Sequence, residues 1–527
     1  MTHGDEAAAS IADTAGPSHR RRQLMGASLA GVGSLVFDLA APGQAQAQQP
    51  GVLRVAINLN PSTLDPTTGR SGGDHQFLYP LYDTLVQWNP KTLEPQPGLA
   101  LSWTYKDDNT LVLVLRPSVI FHDGTPCDAE AVKFNLDRAR LDPKSNIKVD
   151  LSTLESVEAS GALTVTIKLK TPDRSLPQIF SDRAGMMASP TAIRAGGGSI
   201  DRAPVGAGPW KFIKWEDGSI VSYEAFANHW NKGLPKTDRL DMRVITDTSS
   251  GVRSVLAGEN DLVVAVPPVQ KASLERSGKV KVFATPSLYL HMIYLDYSRP
   301  PFNDIRVRRA FNLAIDRVAY NKATMAGLGE PATTLYPKSY WPHDPSLTGI
   351  LAYDPDKARA LLKEAGTPEI NFTGIAYSDQ AATQRVEVLL EMWRKVGFKA
   401  KMRSGAVAAA SDTFFFQRQV DVFLAAITPR PDPSMVPGTL FGMTSPYNGG
   451  HLEIAGMEAA LTASRSGTTQ AERKLALSKV QRIAIEEAVF VPLLFDVSVI
   501  AVSKRFTGFE PNLLGRPRFE QMAASGK

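Results

Sequence analysis

Residues 354–402 read DPDKARALLKEAGTPEINFTGIAYSDQAATQRVEVLLEMWRKVGFKAKM, two helix–glycine–strand units in succession. Asp354-Pro355-Asp356 opens the first helix, with a capping carboxylate followed by a proline whose missing N–H costs nothing there. That helix ends near Gly366, and Ile370, Phe372 and Ala376 then fall on one face of a strand. A second helix is predicted over 383–396, turning Val386, Leu389, Leu390, Trp393 and Val396 inward. Gly397 closes it, and Phe398, Ala400 and Met402 alternate along the next strand. A glycine after each helix supplies the left-handed residue that ends it. This βα rhythm is that of an open α/β sheet domain.

The same alternation runs upstream. The apolar run 111–115 (LVLVL) predicts a buried strand, followed by the turn His122-Asp123-Gly124-Thr125-Pro126. Asp128 is placed to cap the next helix, with Glu130 in its first turn and Val132, Leu136 and Ala139 on one face. Further on, Val307, Ala310, Phe311 and Ala314, with Val318 beyond, form another apolar face. Gly206 and Gly208 suit a tight turn. Arg308 and Arg309 are expected at the surface or in ion pairs between elements.

The chain has 527 residues, with 43% apolar and 21% charged side chains and a formal net charge of +5. That length suits two to four domains. The positive excess is dispersed, without a run of five or six like charges, so nucleic-acid binding is not expected. The first 47 residues stand apart. Arg20-Arg21-Arg22-Gln23-Leu24-Met25 opens an apolar stretch to Phe37, and Ala45-Gln46-Ala47 offers a cleavage site. A basic start, a short apolar segment and small residues make a secretory signal. The apolar segment is shorter than the ~20 residues that span a bilayer. The paired Arg21-Arg22 suits the twin-arginine route; a plain Sec signal with a chance arginine cluster is the alternative. Either way the mature chain is expected in the periplasm, cleaved near Ala47. The sole cysteine, Cys127, allows no internal disulfide.

Export admits a hydrolase, but the motifs for one are missing. There is no G-x-S-x-G, H-E-x-x-H, Walker A or G-x-G-x-x-G pattern. The eight histidines stand singly, so no local metal motif exists. His122 beside Asp123 admits a dyad, but in a Gly-Pro turn the ring is expected to hold backbone groups. Asp107-Asp108 and Glu486-Glu487 read as solvated turn and helix faces. No enzyme activity, cofactor or metal is expected.

A string of segments spans nearly the whole mature chain. It begins with Thr63-Leu64-Asp65-Pro66, Leu81-Tyr82-Asp83-Thr84-Leu85-Val86, Leu115-Arg116-Pro117 and Phe121-His122-Asp123-Gly124-Thr125-Pro126. It continues with Val205-Gly206-Ala207-Gly208-Pro209-Trp210, Pro301-Phe302-Asn303-Asp304, Ala314-Ile315-Asp316-Arg317 and Pro492-Leu493-Leu494-Phe495. The set resembles the family 5 extracellular solute-binding proteins, the dipeptide, oligopeptide and nickel-binding group. The resemblance implies a two-lobed periplasmic binding protein, a class II (cluster C) Venus-flytrap clamp with three domains. Domain I would comprise 48–82, 204–296 and 496–527, domain II 83–203, and domain III 297–495. It further implies a monomer that takes a small-molecule ligand between its lobes and delivers it to the membrane subunits of an ABC permease. An exported hydrolase on the same scaffold and a binding protein serving a chemoreceptor are the rival readings.

Peptide-binding relatives neutralise the peptide ammonium with an Asp in a domain III loop and hold its carboxylate with an Arg. By the resemblance those positions are Pro429 and Ala376 here, so both anchors are replaced. Within that loop Arg430 offers a fork of donors suited to a carboxylate or phosphate; a pairing with Asp432 that shapes the loop is the alternative. His75 and Gln76 follow the family's ligand-facing first loop, and Tyr377 ends a domain III strand. Arg430, Asp432, Tyr377, His75 and Gln76 are therefore the candidate ligand residues, for a peptide-like or carboxylate-bearing solute.

Overall fold

The computed structural model describes residues 51–69 and 71–526. The export signal and its cleavage site lie outside the described residues. The two units read from the sequence are present. Helix Pro355–Glu364 is capped by Asp354, and strands Ile370–Tyr377 and Phe398–Gly405 pair in parallel over eight residues. Gly366 and Gly397 have φ of +75° and +110°, the left-handed values expected of them. The second helix begins earlier than expected, at Gln380, because the Asp379 carboxylate accepts the Ala382 N–H at 2.9 Å.

These strands form one end of an eleven-stranded sheet. Its order runs Phe398–Gly405, Ile370–Tyr377, Val422–Ile427, Val280–Leu295 and Phe490–Ser503. It continues Leu262–Val263, Val52–Ile57, Arg239–Val244, Ile220–Ala225 and Trp210–Glu216, and Glu330–Pro331 pairs Phe490–Ser503 off this path. The two long antiparallel strands at the centre carry the sheet from one half to the other. Val280–Pro286 pairs with Val497–Ser503, Leu290–Tyr294 with Phe490–Phe495, and the register breaks between. Pro286, which cannot donate to the ladder, sits at the break. A break shared by both strands that join two halves of a sheet makes a hinge.

A second, four-stranded antiparallel sheet is formed by Ala100–Asp107, Thr110–Leu115, Thr164–Leu169 and Leu154–Gly161. Helix Ala129–Leu141, capped by Asp128 as read, covers it. Val132, Leu136, Leu111, Leu113, Val165 and Ile167 meet in a core of their own. The run 111–115 is not buried on both faces: Val114 is 42% exposed, so the strand alternates as a sheet with one wet face requires. Val318 is likewise 70% exposed. The helix Ile305–Leu313 ends before it, and in Arg317–Met325 it falls on the outer side.

Gly206 and Gly208 serve close approach. A Cβ on Gly206 would meet the Leu81 carbonyl oxygen at 2.0 Å, and one on Gly208 the Leu81 carbonyl carbon at 2.5 Å. His122 spans this crossing, its Nε2–H donating to the Gly208 carbonyl at 3.0 Å and its Nδ1 accepting the Gly206 N–H at 3.2 Å. That pattern needs the neutral ring, and burial pushes its pKa down to about 4. His122 therefore holds backbone, as its turn suggested. Arg308 and Arg309 bridge elements by donating to the carbonyls of Glu487 and Glu486, at 2.8 Å each. Among the described residues no helix is long and apolar enough to cross a membrane.

Candidate functional site

Four distant segments converge on Asp182. The turn at Ser71 closes a capping box with Asp74, whose buried carboxylate accepts the Ser62 N–H at 2.8 Å and lies 3.3 Å from Arg183. The Arg183 guanidinium also donates to the carbonyls of Gly69 and Ser71. His75, 2% exposed, follows directly, with Nδ1 2.9 Å from the Gly72 carbonyl and Nε2 against the Asp182 carboxylate. Asp182 accepts the Arg183 backbone N–H at 3.0 Å and pairs with Arg516 at 3.3 Å. Arg516 comes from the C-terminal segment and also donates to the Pro429 carbonyl at 2.7 Å. Burial pushes the Asp182 carboxyl upward, but its contact with His75 and the charges of Arg516 and Arg430 outweigh it and hold it well below the usual carboxylate range.

Arg430 is 26% exposed and stands 3.7 Å from Asp182 and 3.8 Å from Asp150. It does not pair with Asp432. The Asp432 side chain is fully buried, and its two oxygens accept Arg473 at 2.7 and 2.8 Å and the Ser434 N–H at 2.9 Å. Asp432 thus fixes the loop while Arg430 reaches out of it. Beside it Arg465 pairs with Asp173 and donates to the Asp150 carbonyl at 3.3 Å, and the Arg174 N–H donates to the Arg465 carbonyl at 2.7 Å. Met435 enters the core of the four-stranded sheet. The stretches 150–183 and 429–473 therefore meet across an ionic seam.

Tyr377 lies in a different group, at the hinge. It ends its strand partly buried, edge-on to Phe423 at 5.4 Å, with its hydroxyl toward Ser411; burial raises it to about 12. Around it stand Tyr289 and His291 of one hinge strand, their rings 5.2 Å apart, and Asp496 of the other, 3.5 Å from His291. Burial and the nearby Arg385 push the His291 ring down, toward its neutral form. Gln76 is partly buried, with its side-chain oxygen unpartnered.

The structure thus brings Arg430 and His75 together around Asp182, sets Tyr377 at the hinge, and commits Asp432 to Arg473. Sequence reasoning missed Asp182, Asp150, Arg516, Arg385 and Asp496. None lies in a local motif; Asp182 and Arg516 are 334 positions apart. Chemically, the arrangement offers donors, acceptors and aromatic edges, which suit holding a polar solute.

Residues 94–448 match the model of the bacterial extracellular solute-binding proteins, family 5. The glutathione-binding protein GsiB of Escherichia coli is 30% identical over 477 residues, covering 86% of this chain and 91% of that protein. The periplasmic binding protein AgaA of A. tumefaciens, solved with agropinic acid, superposes with a TM-score of 0.82 at 22% identity, over 90% of this chain and 99% of AgaA. The ABC transporter-associated binding protein DppA of Helicobacter pylori, solved with a peptide, gives 0.82 at 22% identity, over 90% and 98%. Its fold is therefore the two-lobed class II solute-binding fold, and the chain belongs to the family 5 bacterial extracellular solute-binding proteins.

Proposed function

We propose that this chain is the periplasmic capture component of an ABC importer, exported through its twin-arginine signal and acting as a monomer. It would enclose a small organic solute that is peptide-like or bears a carboxylate. The observation that carries the reading is the pairing of a two-strand hinge with an ionic seam between 150–183 and 429–473. A hinge lets the halves separate, and a seam of ion pairs with partly exposed arginines lets them meet through charge. Domain I would be 48–82, 204–296 and 496–527, domain II 83–203 and domain III 297–495. The separate core of the four-stranded sheet supports the second of these. Relatives named for glutathione, agropinic acid and a peptide support a polar solute. Of the five candidate residues, Arg430, Tyr377 and Gln76 retain bonding capacity for it, whereas His75 and Asp432 are engaged within the protein.

One experiment tests export and capture together. Mass spectrometry of the natively purified mature protein identifies the solute, and uptake is then measured in the parent bacterium carrying Arg21→Lys and Arg22→Lys. Precursor should accumulate in the cytoplasm and uptake should fall to the level of a strain lacking the gene. Full periplasmic yield would show a Sec signal. Unimpaired uptake in the strain lacking the gene would overturn the importer role.

A further inference from the structure

A helix leaves its last carbonyls without partners of its own, so each must find a donor elsewhere. At the end of helix Met457–Ser466 two of them find donors in different parts of the chain. The Ser464 carbonyl accepts the Arg473 Nε–H at 2.8 Å, from the next helix, Gln470–Glu486. The Arg465 carbonyl accepts the backbone N–H of Arg174 at 2.7 Å, from the far side of the ionic seam. The Arg465 guanidinium returns to the same place, pairing with the Asp173 carboxylate and donating to the Asp150 carbonyl at 3.3 Å. One residue thus grips the stretch 150–183 with backbone and side chain at once.

The receiving side is built without Arg465. Asp173 is buried, and its carboxylate accepts the Ser175 N–H at 3.0 Å and the Thr153 hydroxyl at 2.8 Å. The Tyr105 hydroxyl donates to the Asp173 carbonyl, and the Arg174 guanidinium lies over the Tyr105 ring at 4.0 Å. Asp173 therefore keeps hydrogen bonds when Arg465 leaves, and Arg465, 22% exposed, sits where water reaches it. Arg430 differs. Its contacts across the same seam, at 3.7 and 3.8 Å, are longer than hydrogen bonds. The two arginines are linked on their own side, because Arg473 also clamps the buried Asp432 at 2.7 and 2.8 Å, two residues from Arg430.

We propose that Arg465 is the clasp of the closed form, a positioning residue that acts on solute capture without touching the solute. It docks 429–473 onto 150–183 and, through Arg473 and Asp432, sets Arg430 beside Asp150 and Asp182. The inference rests on the solute-binding reading above, with the two stretches on opposite lobes. The clasp exists only when the lobes meet, so its stabilisation falls on the closed form alone. The solute binds that form better than the open one, so a contact that raises the closed population raises the apparent affinity with it. Arg465→Gln leaves the open form as it was, but closing then buries the Asp173 carboxylate without its counter-ion. The hydrogen-bonding capacity of Arg430 stays available to the solute.

The probe is the solute carried by the natively purified mature protein, identified by its mass. Arg465→Gln should raise its Kd about tenfold or more. Stopped-flow tryptophan fluorescence should place that loss in a faster dissociation, with the association rate within about threefold of wild type. The solute-free variant should melt at the wild-type temperature, because the open form does not contain the clasp. Arg465→Lys, which keeps the charge, should recover part of the affinity. A Kd for Arg465→Gln within about threefold of wild type would overturn the clasp and leave solute binding standing. A solute-free variant that melts clearly below wild type would also overturn it, since Arg465 would then brace the fold in both forms. Wild-type protein that binds no solute would overturn the solute-binding reading, and the clasp with it.

Discussion

Asp182→Ala should lower the stability of the mature protein by about 3–5 kcal/mol. The loss of one partner leaves Arg516, 5% exposed, without the carboxylate that neutralises it, and His75, 2% exposed and pushed down to about 3 by burial, so neutral, without its hydrogen-bond partner. For ~480 residues unfolding together at ~2.1 cal/mol/K each, that is a fall in Tm of about 3–5 °C, measured by calorimetry. Asp108→Ala is the control: its carboxylate pairs with Arg174 but is 73% exposed, and its removal should shift stability by less than about 1 kcal/mol. The effect has a signed pH dependence. Folding lowers the Asp182 pKa, so its stabilisation is complete above the ordinary carboxylate value of about 3.9 and is lost as the pH falls through the lower folded value. Wild type and variant should therefore converge only well below pH 4. Equal melting temperatures for Asp182→Ala and Asp108→Ala at neutral pH would show that the convergence on Asp182 carries no energy.

Trp393→Ala should cost a similar amount, about 3–5 kcal/mol, for an unrelated reason. Its ring is 1% exposed, stacked on Phe311 at 4.5 Å and edge-on to Phe372 at 5.5 Å. Phe311 in turn meets Phe398, so one indole ties both helix–strand units to helix Ile305–Leu313. The indole N–H, however, has no partner. Trp393→Phe keeps the ring contact and deletes an unpaired donor, so its cost should stay within about 1.5 kcal/mol. Chemical denaturation of both variants separates the two effects. A Phe variant as unstable as the Ala variant would mean that shape at this site matters more than the aromatic contact.

These two residues mark what sequence could and could not reveal. Trp393 was legible because an inward-facing position in a helix recurs with the 3.6-residue period, and Gly366 and Gly397 punctuate it. Capping by Asp128 and Asp354 was legible for the same local reason. The start of the second helix was missed because the cap at Asp379 precedes the first apolar residue of the pattern. Val318 was misplaced because apolar periodicity was carried across a helix end. Asp182 and Arg516 were invisible: their partnership is set by how the C-terminal segment crosses two other parts of the chain, and no period relates them. Arg430 was found from its loop, but its partners Asp150 and Asp182 were not, since Asp432 stood nearer in sequence.

Closure is what joins these observations into a function. A solute can draw the halves together only by binding the closed form better than the open one, and the groups at the hinge and the seam are where that difference can arise. Arg430 and Arg465 reach the stretch 150–183, Arg430 at 3.7 Å from Asp182 and 3.8 Å from Asp150. The most direct test is solution X-ray scattering of the mature protein with and without the solute that co-purifies with it. With solute at saturation the radius of gyration should contract toward the value of about 23 Å expected for a compact chain of ~480 residues, and without it the particle should be larger. Superimposable profiles in the two conditions would contradict a solute-driven clamp.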